Sequence, residues 1–243
     1  MRGLHELFVR HGGEMPEGGF SAEEVWEANR ATRGEYALAV EAEREARRAA
    51  LARDSGARRD AEAEALRSAM VAAGVPERFL GVPADLRRAP AMARGRGLWL
   101  YGDKGTGKTH SAAAALKGWA SSGRGARFAP CVAMLADLRD AMGEHRERQA
   151  TAAYARTPLL VLDDLGKEAP SQWALAKLFE VVDARYSARL PTVVTSQQDP
   201  RAMAERLASR GDQETAAAIV SRLRGSCDLV RTGGSDRRAS GDA

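Results

Sequence analysis

The sequence predicts an α/β fold in which helices cover both faces of a mostly parallel sheet, with a small helical module in front of it. From Leu98 onward, strand-like and helical stretches alternate along the chain, which is typical of a parallel sheet. The run 158–163 is apolar up to its last residue, as expected of a strand buried on both faces. Before residue 74, alanine, glutamate and arginine dominate, and large apolar residues are few.

Length and composition limit the function classes that need to be considered. At 243 residues the chain can form one substantial domain and a smaller appendage. Its net charge of +4 is compatible with a nucleic-acid partner without requiring one. The two cysteines form no C-x-x-C pair and the four histidines have no metal-ligand spacing, so we expect neither a zinc site nor a disulfide framework. Because no apolar run reaches about 18 residues, we expect no membrane span and a cytoplasmic protein.

The first 73 residues predict helices. Ser21-Ala22-Glu23-Glu24 resembles an N-cap followed by acids in the first turn, and Ser55-Gly56 is expected to break the region into two helices. A solvated helical hairpin and a partner-binding helical module both fit this composition. Glycines and prolines punctuate residues 74–97, which we expect to be a linker to a nucleotide domain over residues 98–243.

Within residues 98–243 the expected elements follow in order. Strands are predicted at 98–101, 127–133, 158–163 and 191–195. Helices are predicted at 112–119, 134–148, 171–188 and 214–224, and a tail rich in glycine, arginine and serine ends the chain.

The stretch 102–109 matches the pattern G-x-x-x-x-G-K-[ST] and lies between a predicted strand and a predicted helix. In that setting, successive backbone N–H groups and the positive end of the helix face the phosphates of a nucleotide. Lys108 adds a mobile cation, and the Thr109 hydroxyl is suited to bind Mg²⁺. The sequence therefore predicts a nucleoside triphosphate site formed by Gly102, Asp103, Lys104, Gly105, Thr106, Gly107, Lys108 and Thr109.

Two further strand ends and one helix carry candidate catalytic residues. Asp163 and Asp164 end the apolar strand, where the first can hold Mg²⁺ and the second can orient or deprotonate the attacking water; a plain turn or helix cap is the alternative. Thr195, Ser196 and Gln197 end the later strand and bring hydroxyls and an amide to the same sheet edge, where one of them could contact the γ-phosphate or the attacking water; a polar turn is again the alternative. Arg222 lies near the end of the last helix and is either a solvated surface residue or an arginine that reaches a γ-phosphate.

Taken together, these segments resemble the AAA+ ATPases of the DnaC/DnaI helicase-loader group and its transposition relatives, the IstB-like ATPases. The matching segments run in order from Gly74 over about two-thirds of the chain. They are Gly74-Val75-Pro76-Glu77-Arg78-Phe79 at the entry, Gly105-Thr106-Gly107-Lys108-Thr109-His110, Leu162-Asp163-Asp164-Leu165-Gly166 with Glu168, Ala184-Arg185-Tyr186, Leu190-Pro191-Thr192, Thr195-Ser196 and Ser221-Arg222-Leu223.

The resemblance implies an AAA+ P-loop domain with a mostly parallel five-stranded sheet flanked by helices, binding ATP and Mg²⁺. It adds His110 to the nucleotide loop, identifies Gln197 with a sensor 1 position that is normally asparagine, and makes Arg222 the arginine finger. Arg237 or Arg238 would then be the sensor 2 arginine. The implied partners are a hexameric replicative helicase of the DnaB type, held by residues 1–73, single-stranded DNA, and further copies of the chain that share ATP sites.

Three other functions remain open at this point. An IstB-like transposition helper would use the same site to deliver a transposase to duplex DNA. A P-loop nucleotide kinase would need an acceptor pocket and an arginine-bearing lid, and the polar ends of two strands argue against it. A non-hydrolysing adaptor would tolerate the loss of Lys108.

Overall fold

The computed structural model describes residues 9, 10, 12, 14, 19–168, 171–209 and 212–234. The chain divides into two compact units, residues 1–62 and 63–243. Within the described ranges, no helix is both long and apolar enough to cross a membrane.

Helix α1, Ala22–Ala72, is the long helix of the N-terminal region. It begins with a capping box, since Glu24 donates its N–H to Ser21 Oγ over 3.2 Å and accepts the Ser21 N–H over 2.8 Å. The predicted break at Ser55-Gly56 is wrong. One glycine costs a helix only about 1 kcal/mol relative to alanine, and strong helix formers flank it. An ion pair of 3.0 Å between Asp54 and Arg58 also spans the site.

The second unit contains a five-stranded, entirely parallel sheet with the strand order β2-β3-β4-β1-β5. Its strands are β1 Gly97–Tyr101, β2 Ala126–Pro130, β3 Leu159–Leu165, β4 Thr192–Ser196 and β5 Cys227–Arg231. The central strands β3 and β4 are buried over almost their whole length. The predicted parallel α/β sheet is therefore confirmed, and its fifth strand lies in the stretch that we expected to be tail.

In the described part of this unit, the end of α1 is followed by a 3-10 helix, Glu77–Phe79, and then by seven α-helices. They are α2 Ala89–Ala93, α3 Lys108–Ala120, α4 Cys131–Gly143, α5 Glu147–Arg156, α6 Gln172–Ser187, α7 Pro200–Ala208 and α8 Gln213–Ser226. The predicted boundary between a strand over 127–133 and a helix over 134–148 is wrong, and so is the predicted single helix, because two helices cover this stretch. Strand β2 stops at Pro130, α4 starts at once, and His145 takes a left-handed φ of 57° between α4 and α5.

Two apolar clusters fill the two faces of the sheet. One packs α4 to α8 against residues such as Trp99 and Leu162, and the other packs α3 against residues such as Leu100 and Val161. Segment 74–97, which we expected to be a linker, contributes buried side chains to the second cluster, namely Val75, Leu80, Val82 and Met92. Whether residues 1–73 act as a separate partner-binding module stays a prediction.

Arg185 is buried, at 1% exposure, and its hydrogen bonds connect the sheet to two neighbouring helices. From α6 its guanidinium donates to Thr192 Oγ1 over 2.9 Å and to the carbonyls of Pro191 and Thr157 over 2.6 and 2.7 Å. These bonds join the end of α5, the start of β4 and α6, and so fix the start of the strand that carries Thr195 and Gln197 at its far end.

Candidate nucleotide site

The loop between β1 and α3 has the geometry of a phosphate cradle. Helix α3 begins at Lys108, and its N-cap is Gly107, whose φ of 83° is in the left-handed region that glycine tolerates best. The N-cap glycine offers no side chain to the first turn, and the N-terminus of a helix is a favourable place for an anion. The eight residues predicted from the pattern thus form one continuous strand–loop–helix unit, with His110 in the first turn of the helix.

Lys108 points into its own loop. Its ammonium donates to the carbonyls of Gly102 and Asp103 over 2.9 and 2.5 Å, and the residue is 7% exposed. An ammonium held by main-chain carbonyls in a buried loop needs little rearrangement to meet phosphate oxygens that enter the same loop. Asp103 and Lys104 form the exposed outer turn of the loop.

Thr109 and Asp163, the two predicted metal ligands, meet directly. Thr109 Oγ1 lies 3.1 Å from Asp163 Oδ1, which joins the first turn of α3 to the end of β3. A hydroxyl and a carboxylate are oxygen donors of the kind that Mg²⁺ prefers when phosphates complete its shell, so the pair fits the predicted ion. Burial raises the pKa of Asp163 and the neighbouring Asp164 charge adds to this, while hydrogen bonds from Thr195 and Thr109 lower it. A bound cation would favour the ionised carboxylate further.

Thr195 connects the two acids across the sheet. Its hydroxyl donates to Asp163 Oδ1 over 2.6 Å and accepts the backbone N–H of Asp164 over 2.8 Å. Asp164 has a φ of 59°, a conformation that is uncommon outside glycine and that this hydrogen bond helps to hold. The carboxylate of Asp164 accepts the Lys167 ammonium over 2.5 Å and stays partly exposed. Asp163 is therefore fixed and buried, whereas Asp164 faces the side open to water.

The loop after β3 is held from both sides. Glu168, 7% exposed, accepts the Gly166 N–H over 2.8 Å, and Arg206 of α7 donates to the Gly166 and Glu168 carbonyls over 3.0 and 3.3 Å. These contacts tie α7, the helix that follows β4, to the loop that carries Asp164. Glu168 also raises the pKa of the Cys131 thiol, an effect second to that of burial.

Gln197 is the first residue after β4 and is exposed. It lines a cavity of about 310 Å³ together with Asp164, Lys167, Gln198 and Arg206. The predicted catalytic acid and amide thus share one polar cavity, as a water-orienting pair requires.

Arg222 belongs to a different group of side chains. From α8 its guanidinium donates to Asp183 on α6 and stacks over the Phe179 ring at 4.7 Å from the centroid. Its side-chain contacts are therefore with α6 and with the Ala218 carbonyl of its own helix, and none of them brings it together with Lys108 or Asp163. A role for Arg222 in the site of a neighbouring copy stays a prediction. The two sensor 2 candidates, Arg237 and Arg238, lie outside the described residues.

Sequence reasoning missed several contributors to this site. The Thr195 hydroxyl is predicted as one of three groups that could contact the γ-phosphate or the attacking water, but its bond to Asp163 is not predicted. Nothing in local spacing indicates Lys167, Arg206 or Thr232. Thr232 follows β5 and its hydroxyl lies 2.8 Å from that of Thr106 in the phosphate loop. A sequence signal existed only for Thr195. It is the next-to-last residue of the β-branched strand β4, which ends at the same sheet edge as Asp163.

Comparison with known proteins identifies the family to which the chain is similar. The family described as "IstB-like ATP binding protein" matches residues 61–241. The chain is 27% identical over 165 residues to the replicative helicase loader DnaI of Bacillus subtilis, covering 66% of this chain and 53% of the relative. It is 29% identical over 116 residues to an insertion-sequence ATP-binding protein of Mycobacterium tuberculosis, covering 48% of this chain and 46% of the relative. The chain thus spans about half the length of each relative.

Among solved structures, the crystal structure of the DnaC helicase loader matches with a TM-score of 0.56 and 24% identity, covering 65% of this chain and all of the other. This likeness confirms the AAA+ P-loop fold. The family match includes the phosphate loop, both acids, Thr195 and Arg222, and it covers well over half of the sequence. The chain therefore belongs to the family of IstB-like ATP binding proteins.

Proposed function

We propose that this protein hydrolyses ATP with Mg²⁺ as a switch and uses that switch to place a hexameric replicative helicase on single-stranded DNA. The observation that carries the ATPase part is the hydrogen-bonded chain from Thr109 through Asp163 to Thr195 and on to the backbone of Asp164. It links the phosphate loop to two strand ends, so a change at the phosphates reaches both acids.

In this proposal each residue has a separate task. Lys108 leaves the carbonyls of its own loop and neutralises phosphate oxygens, and the N-terminus of α3 binds them through the N–H groups of its first turn. Thr109 and Asp163 hold Mg²⁺, which supplies charge neutralisation on the phosphates. Asp164 accepts the proton of the attacking water, and Gln197, across the shared cavity, orients that water.

Arg222 completes the site of a neighbouring copy in the same proposal. Its present partner, Asp183, is a side chain of its own subunit and leaves the residue about 28% exposed. In the assembly, Arg222 would exchange the Asp183 carboxylate for the γ-phosphate bound by a neighbouring copy. Hydrolysis would then depend on assembly, because the guanidinium stabilises charge that develops in the transition state. Self-association through shared ATP sites follows from this arrangement.

The helicase-loading role is supported by the extent of the similarity. The relative named as a helicase loader aligns over 165 residues, whereas the insertion-sequence relative aligns over 116. Residues 1–73 would hold the helicase, and the ATPase unit would engage single-stranded DNA. We also propose that the protein works in the cytoplasm.

A second candidate is favoured by the family itself and by its insertion-sequence members. In that case the same site would help a transposase act on duplex DNA. Membership of an ATP-binding family with this fold argues against a nucleotide kinase.

Co-migration on size exclusion distinguishes the two candidates. The full chain is mixed with the replicative helicase of its own cell or phage, with and without ATP and Mg²⁺, and in parallel with the neighbouring transposase and duplex DNA. We expect a helicase complex that strengthens with ATP and that Lys108→Ala weakens to the nucleotide-free level. Arg148→Ala, an exposed change on α5, should behave as the wild type. A complex only with transposase and duplex DNA would overturn the loader proposal.

A further inference from the structure

The end of β5 meets the start of the phosphate loop. Thr232, the first residue after β5, donates its N–H to the Tyr101 carbonyl over 2.7 Å, and its hydroxyl lies 3.2 Å from the same oxygen. The same hydroxyl lies 2.8 Å from that of Thr106, which is 5% exposed inside the loop. Two strands that are far apart in the chain, β1 and β5, are thus joined to the loop through one side chain.

Gly102 confirms how close this approach is. A Cβ added to Gly102 would lie 2.1 Å from the Thr232 carbonyl oxygen, and the glycine has a φ of +144°. Only a residue without a side chain leaves room for Thr232 at this point. The contact between β5 and the loop is therefore built into the backbone.

The number of hydroxyl protons limits the hydrogen bonds between Thr106 and Thr232 to two arrangements. Each threonine hydroxyl has one proton to donate and two lone pairs that accept. Thr106 is within 2.9 Å of the Asp103 carbonyl. If Thr106 donates to that carbonyl, Thr232 must donate to Thr106; if Thr232 donates to Tyr101 instead, Thr106 donates to Thr232. In both arrangements one hydrogen bond joins the two hydroxyls.

The two arrangements differ in whether the Asp103 carbonyl, which also accepts a hydrogen bond from Lys108, receives the Thr106 proton. While the Lys108 ammonium donates to the Asp103 carbonyl over 2.5 Å, that oxygen does not need the Thr106 proton. When Lys108 turns to phosphate oxygens, the carbonyl loses this donor and Thr106 can replace it. Thr232 then supplies the proton that keeps Thr106 satisfied. The Tyr101 carbonyl loses nothing, because it still accepts the Thr232 N–H.

We propose that Thr232 is a positioning residue for ATP binding, which acts through Thr106 to keep the phosphate loop in its conformation when Lys108 leaves it. This inference rests on the proposed ATP binding and adds a residue 126 positions away from Thr106 to the same site. Because Thr232 acts through Thr106, it sets the affinity for the nucleotide and leaves the chemical step alone.

The test compares Thr232→Val with Thr232→Ser in the full chain. Valine keeps the shape of threonine and removes the hydroxyl, whereas serine keeps the hydroxyl. We expect Thr232→Val to raise the Kd for a fluorescent ATP analogue, and the KM for ATP, by about two- to thirteenfold, the range of one intramolecular hydrogen bond. The kcat should stay within about twofold of wild type, and Thr232→Ser should restore the affinity.

Thr151→Val is the matched control. The Thr151 hydroxyl is buried, whereas Thr232 is half-buried, and it has no hydrogen-bond partner in the described part of the chain, so the same substitution there should leave ATP affinity unchanged. A double-mutant cycle with Thr106→Val follows. If the Thr106 and Thr232 hydroxyls contribute through one shared hydrogen bond, the double variant should have about the same Kd for ATP as the single variant with the higher Kd.

The outcomes separate this inference from the function it rests on. A wild-type protein that binds no ATP overturns both. A wild-type protein that binds ATP, with Thr232→Val of equal affinity, overturns the positioning role alone. Additive losses in the double variant, or a fall in kcat at unchanged KM, would also overturn it. Thermal unfolding of each variant accompanies the titrations, and serine rescue keeps the test decisive if the valine variant is less stable.

Discussion

Replacement of Thr195 by valine tests the core of the candidate site, because this hydroxyl joins both acids. Thr195 is fully buried, so water cannot take the place of the hydroxyl. The variant loses a bond of 2.6 Å to the Asp163 carboxylate and leaves the Asp164 N–H without its acceptor. A hydrogen bond to a charged group contributes about 1.5–3 kcal/mol, and an unsatisfied buried group costs about 1–3 kcal/mol.

The extra buried methyl group of valine returns roughly 1 kcal/mol of this loss. We therefore expect Thr195→Val to lower the free energy of unfolding by about 3 kcal/mol, which corresponds to a fall in Tm of roughly 6–12 °C for a unit of this size. Urea and thermal unfolding measure the effect. Thr195→Ser should lose much less, and Thr151→Val, whose hydroxyl has no partner among the described residues, should stay close to wild type.

The loss should also depend on pH. Burial holds the pKa of Asp163 above its usual range, and the Thr195 hydrogen bond works against that rise. A carboxyl whose pKa is higher in the folded state destabilises the fold once it ionises, so stability falls as the pH rises through the folded pKa. Valine removes the opposing bond, so the deficit should be larger at neutral pH and should shrink in acid. A deficit below about 0.5 kcal/mol, or one that grows in acid, would refute the role given to Thr195.

Two other predictions concern the arginines. Arg222→Ala should bind ATP normally, but its assembly-dependent rate of ATP hydrolysis should fall. The fall should approach roughly 10³-fold, the rate enhancement that an arginine at the transition state supplies elsewhere. Mixing Arg222→Ala with Asp164→Asn should restore activity, because one variant keeps an intact site and the other an intact Arg222; no recovery in a co-assembled mixture would contradict a role between subunits. Arg185→Met should lower the free energy of unfolding by about 3 kcal/mol or more, since several buried carbonyls lose their donor. Denaturant titration against exposed Arg148→Met checks this, and equal stability of the two variants would count against it.

The sequence by itself determined the parts of this protein that depend on neighbours in the chain. The strand, the glycine loop and the start of α3 are contiguous, so their spacing alone predicted the phosphate cradle. The apolar run that ends at Asp163 predicted a buried strand for the same reason, because burial on both faces leaves a local pattern. The resemblance to the family rested on these same local motifs.

Local patterns were less reliable where two weak preferences compete. At Ser55-Gly56 the preference of glycine to end a helix was outweighed by the many helix formers on either side. Segment 227–231 forms a short edge strand in which only Cys227 is buried, so it leaves too short a burial pattern to be distinguished from tail.

Only the tertiary structure decided which strand ends meet. The order β2-β3-β4-β1-β5 brings Thr195 beside Asp163 and Thr232 beside Thr106, although 32 and 126 residues separate the members of these pairs. The packing of α8 against α6 likewise gives Arg222 its partner, Asp183. Hydrophobic periodicity reports which face of an element is buried, but it carries no information about which elements become neighbours, and those contacts are what turn a phosphate loop into a connected site.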